Sequence, residues 1–137
     1  MEDCIFCKII KNEIPSEKIY EDDLVLAFLD IKPVNIGHTL IIPKKHFENL
    51  FELPEEIAIH IMKITKKIGL AIKKSGADGV NISINNGKAA GQIIFHSHTH
   101  IIPRFIGDNL PVWPAKTPKE GQLKEIAKKI IEELARP

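Results

Sequence analysis

Arginine is almost missing from this chain, with two residues in 137 against seventeen lysines. An excess of one charge sign is missing too, because 19 basic residues face 18 acidic ones for a net charge of +1. That balance argues against a nucleic-acid groove or an anionic membrane surface as the main partner. No stretch approaches the roughly 18 apolar residues needed to span a bilayer. The opening MEDCIFCKIIKNEIP has neither the basic start nor the ~7–15-residue apolar core of a secretory signal, so a cytoplasmic protein is expected. There is no internal repeat, no low-complexity tract and no Gly/Ser linker. No P-loop is present either: Gly87-Lys88 is followed by Ala89, and no G-x-G-x-x-G occurs.

What is present reads as one globular domain, residues 1–137, with 44% hydrophobic and 27% charged residues. Isoleucine and lysine dominate at 25 and 17 copies, which a hot habitat or an AT-rich genome would each explain. EKIYEDDLVLAFLDI predicts two strands around Glu21-Asp22-Asp23, and HTLIIPKKH a third, stopped near Pro43. Ile57, Ile61, Ile64, Ile68 and Ile72 form one stripe of a helix over 54–74, with Pro54 in its first turn and Lys73-Lys74 at its negative end. VNISIN and IIFHSHTHIIPR predict strands joined by NGKAAG. Leu123, Ile126, Ile130 and Leu134 mark a C-terminal amphipathic helix within an extension over 105–137. Short connections favour antiparallel pairing and hence an α+β fold.

Three of the six histidines stand at alternate positions in FHSHTHIIPR. On a strand, His96, His98 and His100 share one face about 7 Å apart, with Ser97, Thr99 and Ile101 opposite. A solvated strand face is the plain reading. A metal site is a second, although His-x-His supplies only two nitrogens and leaves the third unexplained. Attack on phosphorus is a third: neutral imidazole has a free lone pair near pH 7, and neighbouring histidines can donate to phosphate oxygens. The preceding INNGKAAGQ is either an ordinary Asn-Gly hairpin or an anion-holding loop. In the latter, Gly87 and Gly91 would admit close backbone approach, and Asn85 and Gln92 would offer amides.

The only cysteines, Cys4 and Cys7, have zinc-ligand spacing. A thiol–disulfide couple and two buried, inert thiols are the alternatives. His46 lies just past a strand end, and His60 lies off the isoleucine stripe and is expected to be solvated.

HSHTHII resembles the His-x-His-x-His-x-x motif of the histidine-triad (HIT) superfamily of nucleotide hydrolases and transferases, nearest its Hint and prokaryotic Hit-like branch. YEDDLVLAFLDIKPVNIGHTLIIPKKH is similar to the family's first half and NNGKAAGQIIFHSHTHIIPR to its signature region, so landmarks run from about residue 4 to residue 104. The resemblance implies an α+β half-barrel with a five-stranded antiparallel sheet, one long helix and a C-terminal helix, usually as a homodimer. It implies a purine nucleotide substrate, an AMP derivative, attacked at its α-phosphorus by His98 to give a nucleotidyl-histidine that water hydrolyses. His100 would hold phosphate and His38 would support the triad. Asp30 would bind ribose, Phe28 and Ile31 would lie near the base, and Asn85, Gly91 and Gln92 on the phosphate side. Similar prokaryotic members imply structural zinc on Cys4, Cys7, His46 and His96, with no metal in the chemistry itself.

Ser97 and Thr99 are polar where the family is usually apolar, and Ile93 stands where Hint members often carry a small hydroxyl residue. Rival readings are a diadenosine polyphosphate hydrolase, whose Fhit branch also has Pro-Arg after the triad, a nucleotidyltransferase, and a non-catalytic nucleotide sensor or scaffold. Trp113 either packs within its loop or reaches an active site.

Overall fold

The computed structural model describes residues 3–137. Its elements are α1 (Ile5–Ile10), β1 (Lys18–Glu21), β2 (Val25–Leu29), β3 (Thr39–Pro43), α2 (Glu55–Lys74), β4 (Gly79–Ile84), β5 (Thr99–Arg104) and α3 (Gln122–Leu134). The strands form one antiparallel sheet in the order β1-β2-β3-β5-β4, as the α+β reading requires. Among the described residues no helix is long and apolar enough to cross a membrane.

The two faces of the sheet follow from strand alternation. Val25, Ala27, Ile41 and Ile101 point to one face and meet Ile57, Ile61, Ile64 and Ile68 of α2. Helix α2 starts with Glu55 and Glu56 at the positive end of its dipole and finishes on Lys73 and Lys74. Gly76 then turns the chain at φ +116°, a region unfavourable for side chains. Leu26, Phe28, Leu40 and Ile42 point to the other face, where Phe6 and Ile9 of α1 cover them. Helix α1 covers β2 and β3, and the β5–β4 part of the same face carries the site described below.

The structure departs from local sequence pattern at three places. The opening segment is helical, because Ile5–Ile10 has an apolar core of its own to cover. The histidine row is not wholly within a strand, as its spacing predicts: β5 begins at Thr99, and only His100 lies in it. Pairing to β3 and β4 starts at Thr99, and Ser97 N–H instead donates to the Phe47 carbonyl (2.7 Å). The connection from β4 is likewise no plain hairpin but a 14-residue loop, 85–98, with a 3₁₀ turn at Lys88–Ala90. Gly87 and Gly91 bound that turn at φ +87° and +86°.

Helix α3 has the predicted stripe, yet all of its residues are exposed. His60 is not fully solvated: its Nε2 lies 2.6 Å from Asp22 Oδ2, which also accepts from Tyr20 OH at 2.7 Å. Burial opposes ionisation of Asp22, but His60, Tyr20 and two backbone N–H groups hold its carboxyl well below the usual range.

Candidate functional site

Two clusters meet along residues 96–100. The first gathers Cys4, Cys7, His46 and His96, whose ligand atoms all lie within 4.8 Å of one another. Cys4 precedes α1 and Cys7 lies one turn on, so both thiols reach the same side. Cys4 Sγ is 3.5 Å and Cys7 Sγ 3.6 Å from His96 Nδ1, and Cys7 Sγ is 3.4 Å from His46 Nδ1. His96 Nε2–H donates to the Pro43 carbonyl at 2.8 Å; because a carbonyl only accepts, the lone pair of Nδ1 faces the thiols. Two thiols and two imidazoles gathered in this way are the donor chemistry of a structural zinc site. Burial and the neighbouring Cys4 push the Cys7 thiol up, and a cation held by the thiols would act in the opposite direction.

The second cluster is a relay whose tautomers are fixed by its partners. Val34 N–H donates to His38 Nδ1 (3.1 Å), so neutral His38 carries its proton on Nε2. That N–H donates to His100 Nδ1 (2.9 Å), so neutral His100 carries its proton on Nε2. His100 Nε2 is buried with no hydrogen-bond partner among the described residues, an unmet donor costing about 1–3 kcal/mol. His98 Nδ1–H donates to the His96 carbonyl (2.7 Å), which leaves the lone pair on Nε2. The His98 and His100 rings are 5.0 Å apart.

Electrostatics keep these rings neutral. Burial lowers the pKa of His98 and His38, against the pull of the Asp30 carboxylate. Burial, with His98 and His38 beside it, takes His100 down to about 4. Asp30 Oδ2 lies 3.9 Å from His38 Nδ1, and Oδ1 accepts from Lys32 N–H.

The other expected site residues divide. Asn85 lines a cavity of about 600 Å³ with His38 and His100. Gly91 adjoins Asn85: a Cβ there would meet Asn85 Nδ2 at 3.6 Å, an ordinary contact, so the φ of +86° and not lack of space favours glycine. Gln92 is buried, and its amide holds the loop together: Oε1 accepts from Gly87 N–H, and Nε2 donates to the Glu48 and Ile94 carbonyls. Phe28 is only 4% exposed, packed edge-on against Phe6, whereas Ile31 is 86% exposed. Trp113 does not pack within its loop: it is 89% exposed and borders the Asn85 cavity.

Sequence reasoning missed Phe6, whose ring meets His98 edge-on at 5.2 Å and His96 at 5.9 Å; its place between the two cysteines was the available signal. It also missed Asn81 and Ser83, which line the same cavity. They alternate with Asn85 just as the histidines alternate, so they share its face of the sheet.

Fold and site together define an antiparallel α+β domain that pins a neutral histidine relay beside a thiol–imidazole quartet. The chain belongs to the HIT family, in its Hint/Hit-like branch. A model of the HIT domain matches residues 11–107. The adenosine 5′-monophosphoramidase of Saccharomyces cerevisiae is 44% identical over 96% of this chain and 82% of its own length. An adenylylsulfatase of Arabidopsis thaliana is 46% identical over 89% of this chain and 61% of its own. Among solved structures, a HIT-family member from Bacillus subtilis is 45% identical with a TM-score of 0.89, covering 98% of this chain and 99% of that one. A Zn-bound histidine triad family protein from Mycobacterium smegmatis is 37% identical with a TM-score of 0.77, covering 96% and 98%.

Proposed function

We propose that this protein is a nucleotide hydrolase that cleaves adenylates at the α-phosphorus, its substrate a purine nucleoside monophosphate joined to a small leaving group. The observation that carries the reading is the fixed tautomer set: a lone pair on His98 Nε2 beside an unmet N–H on His100 Nε2. The adenosine 5′-monophosphoramidase and the adenylylsulfatase among the relatives direct it towards adenylates.

His98 Nε2 attacks phosphorus, forming a P–N bond as the bond to the leaving group breaks. The leaving atom departs with the electron pair and takes a proton from water. His100 Nε2–H donates to a phosphate oxygen, where charge builds up in the transition state. Water then attacks the nucleotidyl-histidine, the P–Nε2 bond breaks, and the water's proton passes to solvent as the imidazole is restored. His38 keeps His100 in the donating tautomer, Asp30 supports ribose, and Asn85 and Gly91 flank the phosphate. Gln92 shapes that loop from beneath.

Cys4, Cys7, His46 and His96 would hold zinc as a cross-link between α1, the exit of β3 and the catalytic segment, outside the chemistry. The active form is a homodimer, as is usual in the family.

The test is incubation with adenosine 5′-phosphoramidate, following AMP release and the mass of rapidly quenched protein, beside His98→Asn. AMP release with a transient adenylyl adduct, both lost in the variant, is expected. AMP release that survives His98→Asn would overturn the assignment.

A further inference from the structure

The cavity beside the triad extends along the sheet well past the reacting atoms. Ser83 lies directly opposite His100 in the β4–β5 register and Asn81 opposite Ile102, so both stand on the same face as the triad. Arg104 lies two residues beyond Ile102 on β5 and lines the same cavity, with Trp113 at its border. A nucleotide with its α-phosphate at His98 and His100 and its base towards Phe28 and Ile31 must send its leaving group this way, which rests on the function proposed above.

Among the described residues lining this trough, Arg104 is the only lysine or arginine. It is not free to meet an anion. Its Nε and Nη2 donate to the two Asp108 carboxylate oxygens at 2.8 and 3.0 Å. Nη2 also donates to the Leu110 carbonyl (3.2 Å) and Nη1 to Asn81 Oδ1 (2.7 Å). Four of its five N–H groups are thereby engaged and its charge is matched by a carboxylate. Asp108 is itself held by the N–H groups of Phe105 and Leu110 and by Asn35 Nδ2, so the carboxylate is fixed towards Arg104 from several sides. A phosphate chain following the α-phosphate would find amide and hydroxyl dipoles there, but no uncompensated cation to offset its desolvation.

We propose that the trough lined by Asn81, Ser83 and Arg104 is the leaving-group subsite, and that Asp108, by neutralising Arg104, makes it select leaving groups of low charge over polyphosphates. Asp108 is thus a positioning residue acting through Arg104. Arg104, which follows Pro103 at the end of β5, therefore does not supply a phosphate-binding charge.

The experiment compares wild type, Ser83→Lys and Asp108→Asn on adenosine 5′-phosphoramidate, which releases ammonia, and on diadenosine triphosphate, which releases ADP. Both variants should move the ratio of kcat/KM towards the triphosphate by about tenfold, the size of one hydrogen bond to a charged group, mainly through its KM. Ser83 is exposed, so its variant tests the trough even if Asp108→Asn fails to fold. Binding of AMP and of ADP, read from the fluorescence of Trp113, the only tryptophan, separates this inference from the catalytic one. If neither substrate turns over but Ser83→Lys alone comes to favour ADP over AMP, the trough stands and the proposed hydrolysis falls. An unchanged ratio and unchanged binding preference in Ser83→Lys would overturn the subsite.

Discussion

His100 illustrates how burial decides what an imidazole does. Its pKa of about 4 lies below the ordinary 6.5 because burial disfavours the cation and His98 and His38 add to that penalty. Between those pH values the unfolded chain binds a proton that the native site refuses. The stability tied to this group is therefore complete above pH 6.5 and is lost as pH falls towards 4. Thermal melts of the wild type should show Tm falling over that window, with a shallower fall in His100→Asn; equal slopes would contradict this. The residue types at His38, His98 and His100 were legible as candidates from spacing and resemblance. Their tautomers were not, because each is set by a carbonyl, N–H or ring nitrogen brought from elsewhere in the fold, starting with Val34 N–H and the His96 carbonyl.

Helix α1 couples the two clusters. Cys4 and Cys7 bracket Phe6, so a metal bound by the thiols would hold the ring that rests on His98. Purified protein should contain about one zinc per chain, and Cys4→Ser should lose it and melt at a lower temperature; zinc retained in that variant would remove the assignment. Phe6→Ala should cost about 3–5 kcal/mol in denaturant unfolding, the usual range for a buried phenylalanine. A cost below about 1 kcal/mol would mean that α1 is not part of the cooperative core. Helix α2 was readable from its isoleucine stripe. Helix α1 was not, since six residues give too short a window for periodicity and its partners, Leu26, Phe28, Leu40 and Ile42, come from β2 and β3.

For the molecule as a whole, the exposed apolar stripe of α3, with Leu123, Ile126, Ile130 and Leu134, is the feature a lone protomer explains least. An isolated helix of 13 residues is marginal in water without a surface to cover its apolar side. Sedimentation should therefore give about twice the 15.4 kDa chain mass, in line with the proposed homodimer. Ile126→Lys combined with Ile130→Lys should lower the helical signal in circular dichroism; no change would show that α3 is stable without apolar cover.

Local pattern was enough for the elements whose partners are sequence neighbours or whose period is long: the β1–β2 hairpin, β3, α2 and α3. The family motif supplied the histidines, and cysteine spacing suggested half of a metal site. Tertiary structure alone decided where β5 begins, because a ladder exists only where β3 and β4 run alongside it. It also turned Gln92 inward to hold its loop and matched the charge of Arg104 with Asp108. In each case the deciding partner is a backbone group or side chain whose position no local period encodes, so the chemistry of the residue was readable early and its role only after folding.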